Sequence, residues 1–400
     1  MKAGWTSKRL EEVAEIRLGR TPPRAEKKFW DPIKATDNTW VSIADLSANE
    51  GGIITESKEH LSKAGADSTP LVKAGTLLVS FKLSLGKVAI AGKDLRTNEA
   101  IAAMQIKVSG LDVNWLKYFF QFFDWDKAAV GEEKVKGKAL NKEKLKEIEI
   151  PLPPLAEQKR IVALLDEAFA GIDEAKAKAE SNDQAAADFL ESRLSELFLK
   201  PKESPSMISD HCTEVTVGYV GPMADKYVPK GIPFLRSQNV RPFEINFENL
   251  MQITPAFEKS LSKSRLAPGD VVVVRTGYPG TAAVIPAELP MANCADLVIL
   301  RPMKSLDPNY LVAFFNSKVG KDMVLGRLVG AAQKHFNVGA AKSVLLPIPS
   351  IQRQREVVSH IAEIRTHVGK LMDNSKGKLS ELRELKTSIL AQAFAGELTA

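Results

Sequence analysis

The first half of this sequence is repeated in the second at an offset of 194 to 196 residues. Ala74-Gly75-Thr76-Leu77-Leu78-Val79 answers to Pro268-Gly269-Asp270-Val271-Val272-Val273, and Gly86 answers to Gly280. Asp112-Val113-Asn114-Trp115-Leu116 answers to Asp307-Pro308-Asn309-Tyr310-Leu311, and Phe119-Phe120 to Phe314-Phe315. Ile150-Pro151-Leu152-Pro153 returns as Leu346-Pro347-Ile348-Pro349, and Gln158-Lys159-Arg160-Ile161-Val162 as Gln354-Arg355-Glu356-Val357-Val358. Ordered matches at so steady a spacing imply duplication, so both halves must fold to one plan. Charge alternates along the chain: residues 1–150 carry net +4, 151–200 net −4, 201–346 net +4 and 347–400 net +2.

Each copy has a mixed part and a helical part. Leu77 to Phe81, Val88 to Ala91 and Ala102 to Val108 read as short strands bounded by glycine, with a helix over 113–123 capped by Asp112. Val271 to Arg275, Ala282 to Ile285 and Leu297 to Leu300 are their counterparts, and Asp307 caps a helix that begins at Pro308. Strands followed by a packing helix predict an α+β domain. The helical part of each copy runs for about 45 residues, roughly 67 Å at 1.5 Å per residue. In the first, Ile161, Leu165, Ala168, Ile172, Ala175, Ala179, Asn182, Ala186 and Phe189 step by 4 and 3, as a heptad seam does. In the second, Val357, Ile361, Ile364, Val368, Leu371, Leu382, Leu385 and Ile389 fall on the same kind of seam. Long helices with one apolar face are poorly stable alone, so the two are expected to pair. With a whole domain between them, an antiparallel pairing is favoured. The expected organisation is a globular domain at 1–150, a helix at 151–200, a second globular domain at 201–346 and a second helix at 347–400. The fold class is α+β, with two pseudo-repeated domains separated by two long helices packed as an antiparallel coiled coil.

Much chemistry is missing. There is no P-loop, no dinucleotide-binding glycine fingerprint after a strand and no nucleophile elbow. The Asn-Pro-Pro-aromatic tetrapeptide of amino-methyltransferases acting on bases is absent too. Two cysteines, Cys212 and Cys294, and five scattered histidines make neither a disulfide framework nor a metal site. No run of about 18 apolar residues and no signal-like N-terminal segment occurs, which predicts a cytoplasmic protein. The sequence reads as a non-catalytic binding protein, with no cofactor and no metal of its own.

The segment Leu152-Pro153-Pro154-Leu155-Ala156-Glu157-Gln158-Lys159-Arg160-Ile161-Val162 resembles the start of the central helix of type I restriction-modification specificity subunits. Leu346-Pro347-Ile348-Pro349-Ser350-Ile351-Gln352-Arg353-Gln354 is similar to its second occurrence, departing from it where Gln352-Arg353 stands at the acidic position. Lys230-Gly231-Ile232-Pro233-Phe234-Leu235-Arg236-Ser237-Gln238-Asn239-Val240 resembles a stretch near the front of such recognition domains, and Thr39-Trp40-Val41-Ser42-Ile43-Ala44-Asp45-Leu46 is its counterpart. The resemblance implies that each globular domain is a target recognition domain reading half of a split DNA site. It implies that the helices act as spacer and as docking surface for two modification (methyltransferase) subunits, which restriction subunits join. S-adenosylmethionine, ATP and magnesium would belong to those partners. A coiled-coil scaffold that binds no nucleic acid is the competing reading of the same helices.

Base edges are read by Arg, Lys, Asn and Gln, whereas phosphate accepts nearly any donor. On that ground the candidates in the second copy are Arg236, Ser237, Gln238, Asn239 and Arg241, then Arg275, Thr276 and Tyr278 in a glycine loop after a strand. The equivalent loop of the first copy offers Lys82, Ser84 and Lys87. Lys134, Lys136 and Lys138 correspond in position to Gln333, Lys334 and His335, as basic loops able to clamp phosphate. Arg20 and Arg24 flank a rigid Thr21-Pro22-Pro23 turn.

Overall fold

The computed structural model describes residues 2, 4–129, 133, 134, 137, 138, 140–199, 203–327 and 335–398, the side chains of 133, 134, 137 and 138 excepted. The chain divides into two compact units, Met1–Lys178 with Lys378–Ala400, and Ala179–Gly377.

The first unit is built on a five-stranded sheet ordered Ala14–Leu18, Ile101–Ile106, Leu77–Ser80, Val88–Ala91, Ile53–Ile54. All neighbours are antiparallel except the last pair. Its central strands are apolar at nearly every position, Ser80 and Gln105 excepted, because both faces are covered. Leu77, Val79, Val88, Ile90, Ala102 and Met104 enter one core, roofed by the helix Val113–Phe122 and the start of the long helix. Leu78, Ala89, Ala91, Ile101 and Ala103 enter a second core with Val41, Leu46 and Leu95. A three-stranded piece, Glu59–His60, Thr39–Val41 and Arg96–Thr97, adjoins that second core.

The second unit repeats this plan. Cys212–Val217, Leu297–Pro302, Val271–Val274 and Ala282–Val284 form an antiparallel sheet. Val271, Val273, Ala282, Val298 and Leu300 point into one core, and Val272, Val274, Ala283, Leu297 and Ile299 into the other. A second sheet, ordered Met251–Ile253, Tyr227–Leu235, Ala292–Cys294, Arg265–Leu266, has no equivalent in the sequence reading. Its strands, two or three residues long apart from Tyr227–Leu235, carry no periodicity that a sequence window could detect.

Both expected caps form. The Asp112 carboxylate accepts from the Asn114 and Trp115 amides at 2.8 and 3.2 Å, and Asp307 accepts from Asn309 and Tyr310 at 2.9 and 3.4 Å. Each cap is fastened to the adjoining long helix by a fully buried glutamine. The Gln158 side-chain oxygen accepts from the Asp112 amide at 2.9 Å, while its nitrogen donates to the Gly110 and Pro153 carbonyls at 2.8 Å each. Gln354 does the same with the Asp307 amide at 2.7 Å and the Ser305 and Pro349 carbonyls at 2.9 and 2.8 Å. Only a primary amide supplies one acceptor and two donors in this arrangement.

The long helices span Leu155–Leu199 and Ile351–Ala395. In the first unit, Ile161, Leu165, Phe169 and Ile172 share a core with Leu390 and Ala393, and the Arg160 guanidinium donates to the Leu398 carbonyl at 3.2 Å. In the second unit, Leu194 and Phe198 share a core with Val357 and Ile361. The start of each helix thus meets the end of the other, and the pairing is antiparallel. The seam needs correction at Ala175, Asn182, Leu371 and Leu385, which are exposed, and so is Phe189. The deep positions are instead Phe169, Leu194, Phe198, Leu390 and Ala393, and Ala168 and Ile364 are half-buried. A strict heptad drifts against a helix that turns about 100° per residue. Phe189, 28 residues beyond Ile161, has turned about 80° off the buried line.

Gln158→Ala and Gln354→Ala each strand a backbone amide and two carbonyls in a dry site. Each is expected to cost about 3 kcal/mol, read as a lowered urea midpoint for the unit concerned. The exposed Gln352→Ala should stay within about 0.5 kcal/mol of the parent chain.

Candidate nucleic-acid interface

Two candidate clusters of the second unit, separated by some 35 residues of sequence, come together at one groove. Its volume is about 660 Å³, and it is lined by Ser237, Gln238, Val240, Arg241, Pro242, Val274, Thr276, Gly277, Tyr278, Pro279, Thr281 and Lys321. The lining holds two cations and no carboxylate. Amide, hydroxyl, guanidinium and ammonium donors therefore face one space, which suits phosphate oxygens and the acceptor-rich edges of purines.

One wall is the turn 236–241. Asn239 is fully buried: its oxygen accepts from the Arg236 amide at 3.0 Å and its nitrogen donates to the Asn246 and Glu248 carbonyls at 3.1 and 3.3 Å. Arg236 reaches back to the Asn249 carbonyl at 3.0 Å. Both shape the turn, leaving Gln238 and Arg241 exposed. Phe243, just beyond, lies under the Arg365 guanidinium at 4.1 Å, and burial pushes that guanidinium's pKa down.

The other wall is the hairpin between Val271–Val274 and Ala282–Val284. Arg275 at its base is buried. Its Nε donates to the Phe336 carbonyl at 3.0 Å and its Nη1 pairs with Asp296 at 2.6 Å. Asp296 also accepts from the Thr276 hydroxyl at 3.3 Å. The Gly280 amide donates to the Val274 carbonyl and the Thr281 amide to the Tyr278 carbonyl, at 3.1 and 3.2 Å. Arg275 thus acts inside the protein, while Tyr278 at the tip is 80% exposed.

The first unit has the same hairpin with other side chains. Leu83 and Gly86 have φ of +67° and +79°, where Gly277 and Gly280 have +81° and +92°. Lys87 is paired with Glu50 at 2.7 Å, Lys82 lies 5.0 Å from the Phe81 ring, and the Ser84 carbonyl accepts from the Ser80 hydroxyl. A side chain at Gly86 would collide with the Trp125 indole, whereas Gly280 faces only Val324, 3.5 Å from where a Cβ would sit. The space beside this hairpin is therefore fuller than in the second unit.

Arg20 and Arg24 lie in another part of the first unit. Arg20 is exposed and its Nη1 reaches the Ser68 carbonyl at 3.4 Å. Arg24 forms a forked pair with Glu59 and stacks 4.2 and 4.7 Å from the Trp30 and Trp40 rings. It edges a cavity of about 610 Å³ shared with Lys27, Trp30, Asp31, Pro32, Lys58, Glu59 and His60. Lys27, Lys58 and Lys321 were missed by sequence reasoning. Lys27-Lys28 was a visible basic pair, but nothing in the sequence placed Lys58 or Lys321 beside the other candidates. Lys136, Gln333 and Lys334, and the side chains of Lys134 and Lys138, lie outside the described residues; His335 is half-buried. Among the described residues no cluster of three metal-ligating side chains occurs, and no helix is long and apolar enough to cross a membrane.

A duplicated sheet-and-helix domain, paired antiparallel helices and a donor-lined groove define a class of protein: a two-domain binding protein built on a pair of long helices. Residues 2–181 match the family described as the type I restriction modification DNA specificity domain. The chain is 26% identical over 292 residues to the type I restriction enzyme EcoBI specificity subunit of Escherichia coli, covering 66% of this chain and 61% of that one. It is 26% identical over 275 residues to the EcoKI specificity subunit of Escherichia coli K12, covering 63% and 58%. The matched stretch thus spans about three fifths of these relatives. In fold it resembles a chain from a solved type I R-M system complex, with a TM-score of 0.77, 20% identity and coverage of 100% and 99%. The HsdS subunit of Thermoanaerobacter tengcongensis aligns with a TM-score of 0.54, 19% identity and coverage of 100% and 98%.

Arg275→Ala removes the tie between the hairpin and two other segments. Hydrogen exchange at the Gly280 and Thr281 amides should accelerate by about tenfold or more, because local opening replaces a pinned turn. Arg275→Lys keeps the charge but not the fork, and should restore little of the protection.

Proposed function

We propose that this chain is the non-catalytic DNA-specificity subunit of a type I restriction-modification complex. Each globular domain reads one half of an asymmetric bipartite site. The observation that carries the reading is one hairpin frame built twice with different side chains at its tip. Two identical readers would select a palindrome, whereas two diverged ones select unlike halves. In the second domain Ser237, Gln238, Arg241, Thr276, Tyr278 and Lys321 face the duplex, while Arg236, Asn239 and Arg275 hold them in place. In the first, Lys82, Ser84, Lys87, Arg20 and Arg24 take these roles, with Lys27 and Lys58 beside them. Lys134, Lys136, Lys138, Gln333, Lys334 and His335 clamp phosphate.

The long helices set the unread spacer and dock two modification (methyltransferase) subunits, which restriction subunits join. Phe189, Leu371 and Leu385 support the docking role, being large apolar side chains that the helix pair leaves at 51%, 58% and 48% exposure. S-adenosylmethionine, ATP and magnesium act in those partners, and the complex works in the cytoplasm.

Exchanging residues 1–150 for another recognition domain should change one half of the methylated site and leave the other half unaltered. Sequencing methylated bases in cells carrying the hybrid reads this directly. A change in both halves together would refute the two-reader scheme. The scaffold alternative predicts no dependence of methylation on this gene at all.

A further inference from the structure

Resting on the reading that this chain binds duplex DNA, we propose that its two recognition hairpins each drive one apolar side chain, Leu83 in the first unit and Tyr278 in the second, between neighbouring base pairs as a wedge. Leu83 is 61% exposed. It occupies a left-handed backbone position, φ +67°, at which the equivalent residue of the other copy is Gly277. A leucine there is strained, and its exposure returns little burial to offset the strain.

Tyr278 is the outlier among the five tyrosines. Tyr118, Tyr219, Tyr227 and Tyr310 pack on Phe169, Phe257, Phe234 and Phe198. Among the described residues no ring or cation covers Tyr278, although its hairpin is pinned through Arg275, Thr276 and Asp296. A rigid loop that displays an uncovered aromatic ring beside two cations is organised in advance for a flat partner in an anionic surround. Leucine and aromatic side chains suit this use, because they replace base–base stacking with apolar contact while the neighbouring cations hold the backbone. Lys82 and Lys87 flank the first wedge, and Arg241 and Lys321 line the groove of the second. The same device stands at the same turn in both copies, one residue apart along the chain, although the two loops share little else. The wedges read deformability: a flexible pyrimidine–purine step yields to them more easily than a stiff one.

The test uses the full chain with its modification subunits, and duplexes that the complex enriches from a random library. 2-Aminopurine, which brightens when unstacked, is scanned through each half of the enriched site. Binding of the parent complex should brighten one step in each half, away from the methylated base and its neighbours, because a methyltransferase also unstacks the base it modifies. Tyr278→Ala should abolish the signal in one half only and weaken binding by about tenfold or more. Tyr278→Phe should retain both, since the ring and not the hydroxyl does the work. Leu83→Gly should abolish the signal in the other half without lowering the thermal midpoint, because glycine relieves the left-handed strain. No brightening in either half, unchanged binding by Tyr278→Ala and Leu83→Gly, or Tyr278→Phe as weak as Tyr278→Ala would each overturn the wedge. If Arg241→Ala and Lys321→Ala still weaken binding in that event, DNA reading by the groove stands. A library that yields no enriched sequence would overturn the DNA-reading function itself, and the wedge with it.

Discussion

Gln158 and Gln354 join each long helix to the domain that precedes it, and much of the repeated architecture is organised around that joint. Each amide bridges the N-terminus of a domain helix and the proline-bounded turn that starts the long helix. Beside the joint, Trp115 Nε1 donates to the Pro151 carbonyl at 2.8 Å, and the Tyr310 hydroxyl to the Pro347 carbonyl at 2.9 Å. Different aromatic side chains thus satisfy equivalent carbonyls. A buried polar network of this kind leaves few alternatives, because any other helix entry would leave its groups unpaired.

Above the joint, a sheet buried on both faces carries the hairpins. Its runs of Val, Leu, Ile and Ala are constrained on both sides by packing, so the two copies stay alike there. The hairpin tips face solvent and carry no such constraint. They keep the backbone path, with two left-handed residues each, and differ in nearly every side chain. Side chains can therefore change at the tip without disturbing the core that holds it, as expected where a rigid scaffold presents variable loops.

The helices show where pattern reading holds and where it slips. Ile161, Leu165, Ile172, Ala179, Val357, Ile361 and Val368 are buried as the heptad reading expected. Leu371 and Leu385 were apolar and in phase by count, yet face outward. Counting in sevens along a helix of 3.6 residues per turn accumulates an angular error that only the packed pair reveals. The same two leucines, left over from the intramolecular seam, stay exposed at 58% and 48%.

The duplication, three strands and one helix of each copy, both aspartate caps and the existence of two long helices were legible in the sequence, because each is set by local periodicity or by capping chemistry; the edge strands Ala14–Leu18 and Cys212–Val217 were not. The second sheet was not, since strands of two or three residues take their stability from pairing with distant segments. The roles of individual polar residues were not legible either. Arg275 and Asn239 have the composition of base readers, yet both are buried and bonded internally, whereas Tyr278, Arg241 and Lys321 reach one groove. Sequence decides which donors a loop possesses. Whether a donor is used inside the protein or offered outside depends on what the tertiary structure places within about 3 Å of it, because a buried donor left unpaired is too costly to persist.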